Sequence, residues 1–459
     1  PVWKALAEFP DPAIPHDTKG YWRPFQIAFL LMSLRGICEP DHEDRQVVDL
    51  IWFPTGGGKT EAYLGVTAFT IFYNRLAGRE TTGCDVLMRY TLRLLTAQQF
   101  QRAATLFCAM EHLRRSRSHE LGDKSFTIGL WVGSNTTPNS RKDALAKLKK
   151  LENSPNEENP FVLLQCPWCA AKMGPVEATK PVHGYRGHGK GRKPNQLVLG
   201  YVRAGAGNSQ TVVYQCPDSA CEFSSGSVLS RGKRPLPIAT IDEDLIQNPP
   251  RLLIGTVDKF AMLAWKPELR SFFGIGPDGK HISAPPSLII QDELHLISGP
   301  LGTMVGAYEM VIDRLCREHG IGDVMPKIIA STATISRARE QIKHLYAREE
   351  SMLFPPSGLK SSDSFFAREA KGPGRMYLGV MAPAHFSLQT TEARVFATLL
   401  QSVAHMPANE SSKDPWWTLL CFFNSLRELG SAATLMVADV REYMRVLMDR
   451  HGWAYKTMR

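Results

Sequence analysis

The sequence lacks any long apolar run. No uninterrupted apolar stretch is longer than the six residues from Ile27 to Met32, far short of the roughly 18 residues that a membrane-spanning helix requires. The first residues also lack the apolar core of a secretory signal peptide. These absences argue against a membrane protein or a secreted protein, and we expect a cytoplasmic location.

The sequence also lacks internal repeats and a heptad array, and its charge is only moderately unbalanced. It carries 54 Lys and Arg residues against 45 Asp and Glu residues, which gives a formal net charge of +9. A basic balance favours a polyanionic partner such as nucleic acid, but many basic proteins bind none. Net charge therefore supports a nucleic-acid partner only weakly.

The length of 459 residues, with 43% hydrophobic composition, is enough for roughly two or three globular cores. The first residue is Pro1, and the last, Arg459, closes a basic stretch with a helical pattern. We therefore expect a soluble, multidomain fragment of a longer protein.

Short apolar runs alternate with longer segments of helical periodicity, which predicts an α/β fold with one doubly wound parallel sheet. Helices are predicted from Thr60 onward and from Leu92 to Leu113. The predicted strands are Val47 to Phe53, Val86 to Tyr90, Phe126 to Val132, Leu252 to Ile254, Leu288 to Ile290 and Lys327 to Ala330.

This periodicity fails in two segments, which sets the predicted domain limits. Residues 135–237 are rich in Gly, Pro, Asn and basic residues, and we interpret them as an insertion. Residues 351–415 contain turn-forming phrases typical of a linker, and Leu419 to Phe423 then predicts a new strand. The predicted order is the first part of the sheet domain (1–134), the insertion (135–237), the second part of the sheet domain (238–350), the linker (351–415) and the beginning of a second domain (416–459).

A glycine-rich turn follows the first predicted strand, in the phrase DLIWFPTGGGKT at Asp49 to Thr60. Glycines let backbone N–H groups approach phosphate oxygens, and the following helix N-terminus adds positive potential. In such a loop Lys59 reaches the β and γ phosphates and the Thr60 hydroxyl binds Mg²⁺. Phe53 stands where the strict pattern has glycine, so a merely flexible turn is the alternative. The predicted ATP contacts here are Pro54, Thr55, Gly56, Gly57, Gly58, Lys59 and Thr60.

A pair of carboxylates follows the predicted strand Leu288 to Ile290. Asp292 at such a strand end holds Mg²⁺ through water, and Glu293 polarises the attacking water as general base. Asp-Glu after an apolar run is also a common helix-start signal, but its pairing with the glycine-rich turn favours catalysis. The predicted catalytic residues are Glu293, Asp292 and Lys59.

Four of the nine cysteines form two close pairs, at Cys166 and Cys169 and at Cys216 and Cys221. Two pairs of this spacing are typical of a structural Zn²⁺ ribbon with four thiolate ligands. Disulfides and a redox pair at Cys166 and Cys169 are the alternatives. We interpret His183 and His188 between the pairs as loop residues rather than ligands, and the five remaining cysteines as inert, buried thiols.

Taken in order, these motifs resemble those of superfamily 2 helicases of the DExH type. Arg23 to Gln26 is similar to the element whose glutamine contacts adenine, so Gln26 joins the predicted ATP contacts. The resemblance also assigns two motifs that contact nucleic acid and one that couples hydrolysis to strand movement. The nucleic-acid contacts are Arg89, Thr91, Arg93, Gly255, Thr256 and Lys259; the coupling residues are Ser331, Thr332, Ala333 and Thr334.

Longer phrases, among them RPFQIAFLLMSL and IIQDELHLISGPLG, resemble the helicase subunits of bacterial DISARM anti-phage systems. This resemblance implies a RecA-like sheet, a zinc-ribbon-like insertion and the start of a second RecA-like domain. It further implies an ATP-dependent and Mg²⁺-dependent translocase on DNA that is single-stranded or has a single-stranded overhang, with DrmB as companion subunit.

The resemblance also implies an arginine in the second domain that reaches the γ-phosphate, and no such motif follows Leu419 to Ser425. We therefore expect this chain to bind ATP better than it hydrolyses it. Two other functions remain open: a restriction-type translocase of duplex DNA, and an assembly switch that binds nucleotide and DNA without unwinding.

Overall fold

The chain forms two compact units, Pro1–Glu369 and Ala370–Arg459. The structure, a computed structural model, describes residues 21–53, 57–79, 81–91, 93–134, 136–154, 159–177, 196–224, 235–317, 324–332, 337–356, 358–360, 363–367, 374–385, 387–407 and 409–455. Within these ranges, no helix combines the length and the apolar character needed to cross a lipid bilayer.

Twelve strands and thirteen α-helices occur in the described residues. The strands are β1 Val48–Trp52, β2 Val86–Tyr90, β3 Ile128–Trp131, β4 Gly174–Glu177, β5 Gln196–Leu199, β6 Tyr201–Ala204, β7 Thr211–Tyr214, β8 Ile238–Ala239, β9 Leu252–Thr256, β10 Leu288–Gln291, β11 Lys327–Thr332 and β12 Ser351–Phe354. The helices are α1 Pro24–Cys38, α2 Lys59–Leu76, α3 Arg93–Ser116, α4 Ser118–Leu121, α5 Arg141–Asn153, α6 Asp242–Gln247, α7 Val257–Phe260, α8 Gly299–Cys316, α9 Ala338–Tyr346, α10 Leu388–Ala404, α11 Glu410–Lys413, α12 Leu426–Val437 and α13 Asp439–His451.

An eight-stranded sheet forms the centre of the first unit, in the order β12-β1-β11-β10-β2-β9-β3-β8. All of its neighbouring strands run parallel. Alternate residues of one strand enter the cores on opposite faces: Val86 and Met88 lie in one hydrophobic cluster, and Leu87 lies in the other. The predicted RecA-like α/β fold with a doubly wound parallel sheet is therefore confirmed.

The sequence pattern located the six central strands and missed the two at the sheet edges. β8 has only two residues, too few to show a pattern. β12 lies in residues 351–415, the predicted linker, yet it pairs with β1. The same segment contains the 17-residue helix α10, whose apolar stripe is flanked by turn-forming sequence. The predicted linker thus contains one strand of the sheet and one long helix.

Parallel strands bring their carboxyl ends to one edge of the sheet, and the predicted site residues follow those ends. Trp52 lies opposite Thr332, and Gln291 lies between Ala330 and Arg89. The glycine-rich loop after β1, the carboxylates after β10 and the end of β11 therefore meet at this edge. Open α/β sheets bind their ligands at this position.

The insertion contains two antiparallel hairpins, β4 with β5 and β6 with β7. Its apolar residues Trp168 and Phe223 belong to the same hydrophobic cluster as Phe107 of α3. The Trp168 ring centroid lies 5.3 Å from that of His112, and the Arg115 guanidinium lies 4.8 Å from the Phe223 ring. The insertion is thus packed onto α3 through a shared core.

The second unit is helical in its described residues. Ala393 and Ala397 of α10 pack against Val440 and Met444 of α13. The prediction of a strand at Leu419 to Phe423 is wrong for this structure, in which the segment belongs to no strand. A strand needs a hydrogen-bonded neighbour, and the described residues after β12 contain none.

Candidate nucleotide site and cysteine cluster

Arg23 and Gln26, at the start of helix α1, donate hydrogen bonds to the described part of the glycine-rich loop. Arg23 donates through Nη1 to the carbonyl of Gly57 at 2.7 Å, and Gln26 donates through Nε2 to the carbonyl of Gly58 at 2.9 Å. Gly58 has φ +96°, and a Cβ at this residue would lie 2.6 Å from Gln26 Nε2. Only glycine fits this conformation and this close contact. Pro54, Thr55 and Gly56 lie outside the described residues.

Gln26, the predicted adenine contact, lines the cavity beside this loop. Its side chain is buried, and its Oε1 accepts from the Arg23 backbone N–H at 2.8 Å. The side-chain amide thus joins the start of α1 to the loop. Its contact with adenine stays a prediction.

Lys59 provides the clearest sign of an anionic ligand. Its side chain is 8% exposed, and its ammonium has no hydrogen-bond partner among the described residues. Burying a cation without a partner is unfavourable, and phosphate oxygens would supply the missing acceptors. The adjoining cavity has a volume of about 460 Å³. Its lining is Tyr21, Arg23, Gln26, Gly58, Lys59, Thr60, Glu61, Tyr63, Gln99, Arg102, Asp292 and Glu293.

Asp292 is held by donors from three elements. The Tyr63 hydroxyl donates to Oδ2 at 2.8 Å, the Glu293 backbone N–H donates to Oδ1 at 3.0 Å, and the Ser331 hydroxyl donates to Oδ1. The Thr60 hydroxyl lies 3.1 Å from the Tyr63 hydroxyl. Thr60 and Asp292, the predicted magnesium residues, are therefore connected through one tyrosine oxygen. A hydroxyl and a carboxylate are oxygen donors of the kind that Mg²⁺ prefers.

Glu293 adopts a left-handed backbone conformation, with φ 50° and ψ 49°. This conformation is uncommon for a residue other than glycine, and such strain is concentrated at functional sites. Burial raises the pKa of the Glu293 carboxyl above its ordinary value, and the neighbouring Asp292 adds to the rise. A raised pKa makes the carboxylate a stronger base, which favours its acting as a general base that accepts a proton from water.

The predicted coupling residues at the end of β11 contact the carboxylate motif. Ser331 is fully buried and bonds to Asp292, and Thr332 Oγ1 lies 3.4 Å from Nδ1 of His295. His295 Nδ1 in turn lies 3.4 Å from Glu293 Oε2. Two neighbouring strands are thus connected through side chains at the site. Ala333 and Thr334 lie outside the described residues.

Several cavity residues have no counterpart in the sequence motifs. Tyr21 lines the cavity, and so do Glu61 and Arg102, which form an ion pair. Tyr63 follows Thr60 by three residues on α2, and helical spacing alone places both side chains on one face. That spacing is the signal in the sequence that would have identified Tyr63.

The prediction that Arg89 contacts nucleic acid is wrong for this structure. Its side chain is completely buried and forms an ion pair with Glu309 of α8. The guanidinium also lies 5.8 Å from the centre of the Phe260 ring. A guanidinium removed from water needs a buried carboxylate partner, and it cannot reach a DNA phosphate from this position.

The other predicted nucleic-acid residues are also mostly withdrawn from solvent. Gly255 and Thr256 are buried, and Lys259 is 7% exposed with its ammonium 2.9 Å from Asp242 Oδ2. The side chains of Thr256 and Lys259 are thus withdrawn from solvent, and the nucleic-acid contacts of Gly255, Thr256 and Lys259 stay predictions. Thr91 remains half-exposed, and the side chain of Arg93 lies outside the description.

The four paired cysteines converge at one point. Their sulfur atoms all lie within 4.8 Å of one another, and those of Cys169 and Cys216 are 3.4 Å apart. Four sulfurs at about 2.3 Å from a tetrahedral Zn²⁺ ion are about 3.8 Å apart, so the cluster fits this ion. Thiol hydrogen bonds from the other three cysteines hold the pKa of Cys169 well below its ordinary value. His183 and His188 lie outside the described residues.

The single cysteines divide between buried and half-buried positions. Cys84, Cys108 and Cys316 are buried, and burial raises the pKa of each thiol. The prediction of buried thiols is confirmed at these three positions. Cys38 and Cys421 are only half-buried.

Arg89→Ala should lower the free energy of unfolding by about 3–5 kcal/mol, because it leaves the Glu309 carboxylate buried without its partner. Urea unfolding of the variant measures this loss. Arg35→Ala is the matched control, since it removes an exposed helix pair with Glu39 and should change stability by less than about 1 kcal/mol. Equal, small effects of both substitutions would contradict the buried ion pair.

Cys169→Ser should remove bound zinc and lower the melting temperature, because a tetrahedral site with three thiolates binds the metal less tightly. Elemental analysis of the purified chain should give one zinc per chain before the substitution and much less after it. Cys38→Ser lies outside the cluster and should retain the metal. A purified wild-type chain without zinc would exclude this assignment.

One known protein is similar in sequence to almost the whole chain. It is 37% identical over 489 aligned residues to DISARM protein DrmA from Bacillus paralicheniformis, which covers 94% of this chain. The chain spans only 40% of the length of that relative. No protein-family model matches the sequence.

Similarities to solved structures are weak. DUF1998 helicase MrfA has a TM-score of 0.38 at 13% identity, covering 95% of this chain and 43% of the other. The Mycobacterium smegmatis helicase Lhr, bound to ssDNA and AMP-PNP, has a TM-score of 0.36 at 15% identity, covering 76% and 29% of the two chains. The sequence comparison confirms the predicted resemblance: the chain is a relative, over nearly its whole length, of part of DISARM protein DrmA.

Proposed function

We propose that this chain is the nucleotide-binding part of an ATP-dependent DNA helicase or translocase in an anti-phage defence complex. The observation that carries this proposal is the buried ammonium of Lys59, without a partner among the described residues and facing a cavity beside two carboxylates. The relationship to DISARM protein DrmA supports the defence context. We carry DrmB over as the companion subunit from the same sequence resemblance.

ATP occupies the cavity in this proposal, with its β and γ phosphates against Lys59 and the backbone N–H groups of residues 55–58. Gln26 contacts the adenine. Thr60 and Asp292 hold the magnesium ion, which, when bound, neutralises charge that develops on the phosphates.

Glu293 accepts a proton from the attacking water as general base. Its carboxyl is partly buried next to Asp292, and the rise in its pKa brings it closer to neutral pH. Both Asp292 oxygens already accept hydrogen bonds, from Tyr63 at Oδ2 and from Ser331 and the Glu293 amide at Oδ1. Asp292 and Glu293 thus have separate roles, one toward the metal and one toward water.

Movement on DNA starts at the connection between the carboxylate motif and the end of β11. Ser331 contacts Asp292, and Thr332 contacts His295. A structural change at the phosphates would therefore be transmitted to β11 through these side chains. We assign DNA binding to the motif that contains the half-exposed Thr91, and this binding should weaken with salt. The four-cysteine cluster has a structural role, because a closed thiolate site leaves no position for substrate.

Lys59→Ala should weaken binding of a fluorescent ATP analogue by about 100-fold, since it removes charge-assisted hydrogen bonds worth about 1.5–3 kcal/mol. Lys343→Ala, which removes an exposed lysine paired with Glu349, is the control and should bind normally. ATP turnover by the full-length protein should rise when DNA is added. Turnover that DNA leaves unchanged would contradict the motor and favour a nucleotide-dependent assembly switch.

Glu293→Gln should lower kcat by about 10²–10⁴-fold while ATP binding is retained, because the amide cannot accept the proton of water. In the wild-type protein the active form of Glu293 is deprotonated, so turnover should fall as the pH drops through its pKa. The raised pKa puts this loss above pH 4.5, the ordinary value for glutamate. A pH profile of kcat measures the effect, and an unshifted acid limb would exclude Glu293 as the base.

A further inference from the structure

Tyr63 occupies the centre of the nucleotide site, although no motif names it. Its side chain is completely buried, one helical turn after Thr60 on α2. The hydroxyl lies 2.8 Å from Asp292 Oδ2 and 3.1 Å from Thr60 Oγ1. It thus contacts both of the proposed magnesium residues through one oxygen atom.

The direction of these two hydrogen bonds follows from the number of protons. A tyrosine phenol carries its one proton at neutral pH. A carboxylate only accepts, so Tyr63 donates this proton to Asp292. The remaining contact then requires the Thr60 hydroxyl to donate its own proton to the Tyr63 oxygen.

This relay fixes two groups at once. The Thr60 proton points toward Tyr63, which leaves the oxygen lone pairs available to a cation in the cavity. The Asp292 carboxylate is oriented by Tyr63 at Oδ2, and by Ser331 and the Glu293 amide at Oδ1. Tyr63 is the only one of these three donors that also contacts Thr60.

We propose that Tyr63 is a positioning residue for the magnesium ion, acting through Thr60 and Asp292 without touching the nucleotide itself. The inference rests on the proposed function, because it requires that the site binds ATP with Mg²⁺. A packing role alone is the competing explanation, since the Tyr63 ring belongs to the main hydrophobic cluster of the first unit.

Tyr63→Phe separates these explanations because it keeps the ring and removes only the hydroxyl. Binding of a fluorescent ATP analogue is titrated in EDTA and over a series of Mg²⁺ concentrations. We expect unchanged affinity in EDTA and an increase of about tenfold in the Mg²⁺ concentration that half-maximally strengthens binding. Tenfold is about 1.4 kcal/mol, the size of one hydrogen bond to a charged group.

Tyr73→Phe is the matched control. It lies on the same helix, and its hydroxyl donates to the Cys38 carbonyl at 3.0 Å, away from the cavity. This variant should keep the wild-type dependence on Mg²⁺. Thermal unfolding of both variants shows whether either hydroxyl contributes to the fold.

Each other outcome has a distinct meaning. A wild-type chain that binds no nucleotide in either buffer would contradict the proposed function itself. A wild-type chain that responds to Mg²⁺, with Tyr63→Phe responding identically, would overturn only the role of Tyr63. Equal weakening with and without Mg²⁺, or a variant that fails to fold, would also overturn it, because the hydroxyl would then serve packing rather than the metal.

Discussion

The hydrogen bonding of the Asp292 carboxylate connects the parts of the first unit that form the site. Donors reach it from α2 through Tyr63 and from β11 through Ser331, while Asp292 itself follows β10. The parallel sheet makes this possible, because it delivers three strand ends and one helix N-terminus to the same edge. A shift of any one of these elements would alter the hydrogen bonding of Asp292.

Local patterns allowed much of this arrangement to be predicted. β2 has the predicted bounds Val86–Tyr90 because a strand buried on both faces is a continuous apolar run. The glycine-rich loop is one short contiguous segment, and the Asp292–Glu293 pair is another. Residue type and order within each segment were therefore enough to predict where the candidate site residues lie. The four cysteines are also recognisable, since metal ligands require fixed short spacings.

The contacts that could not be predicted join residues far apart in the chain. Tyr63 and Asp292 are separated by 229 positions, and Arg89 and Glu309 by 220. Nothing in the sequence near Arg89 distinguishes a guanidinium paired inside the protein from one that faces a DNA phosphate. The motif predicts that Arg89 contacts nucleic acid, whereas the packing of α8 gives it Glu309 as a buried partner.

The shared core of the insertion and α3 has a consequence for how the chain unfolds. Trp168 and Phe223 lie against the same helix that follows β2 at the edge carrying the site. Because both sides contribute to one apolar cluster, opening either side exposes the surface of the other to water. The described residues of the insertion that belong to this cluster would therefore exchange their amide hydrogens together with α3, as one cooperative unit.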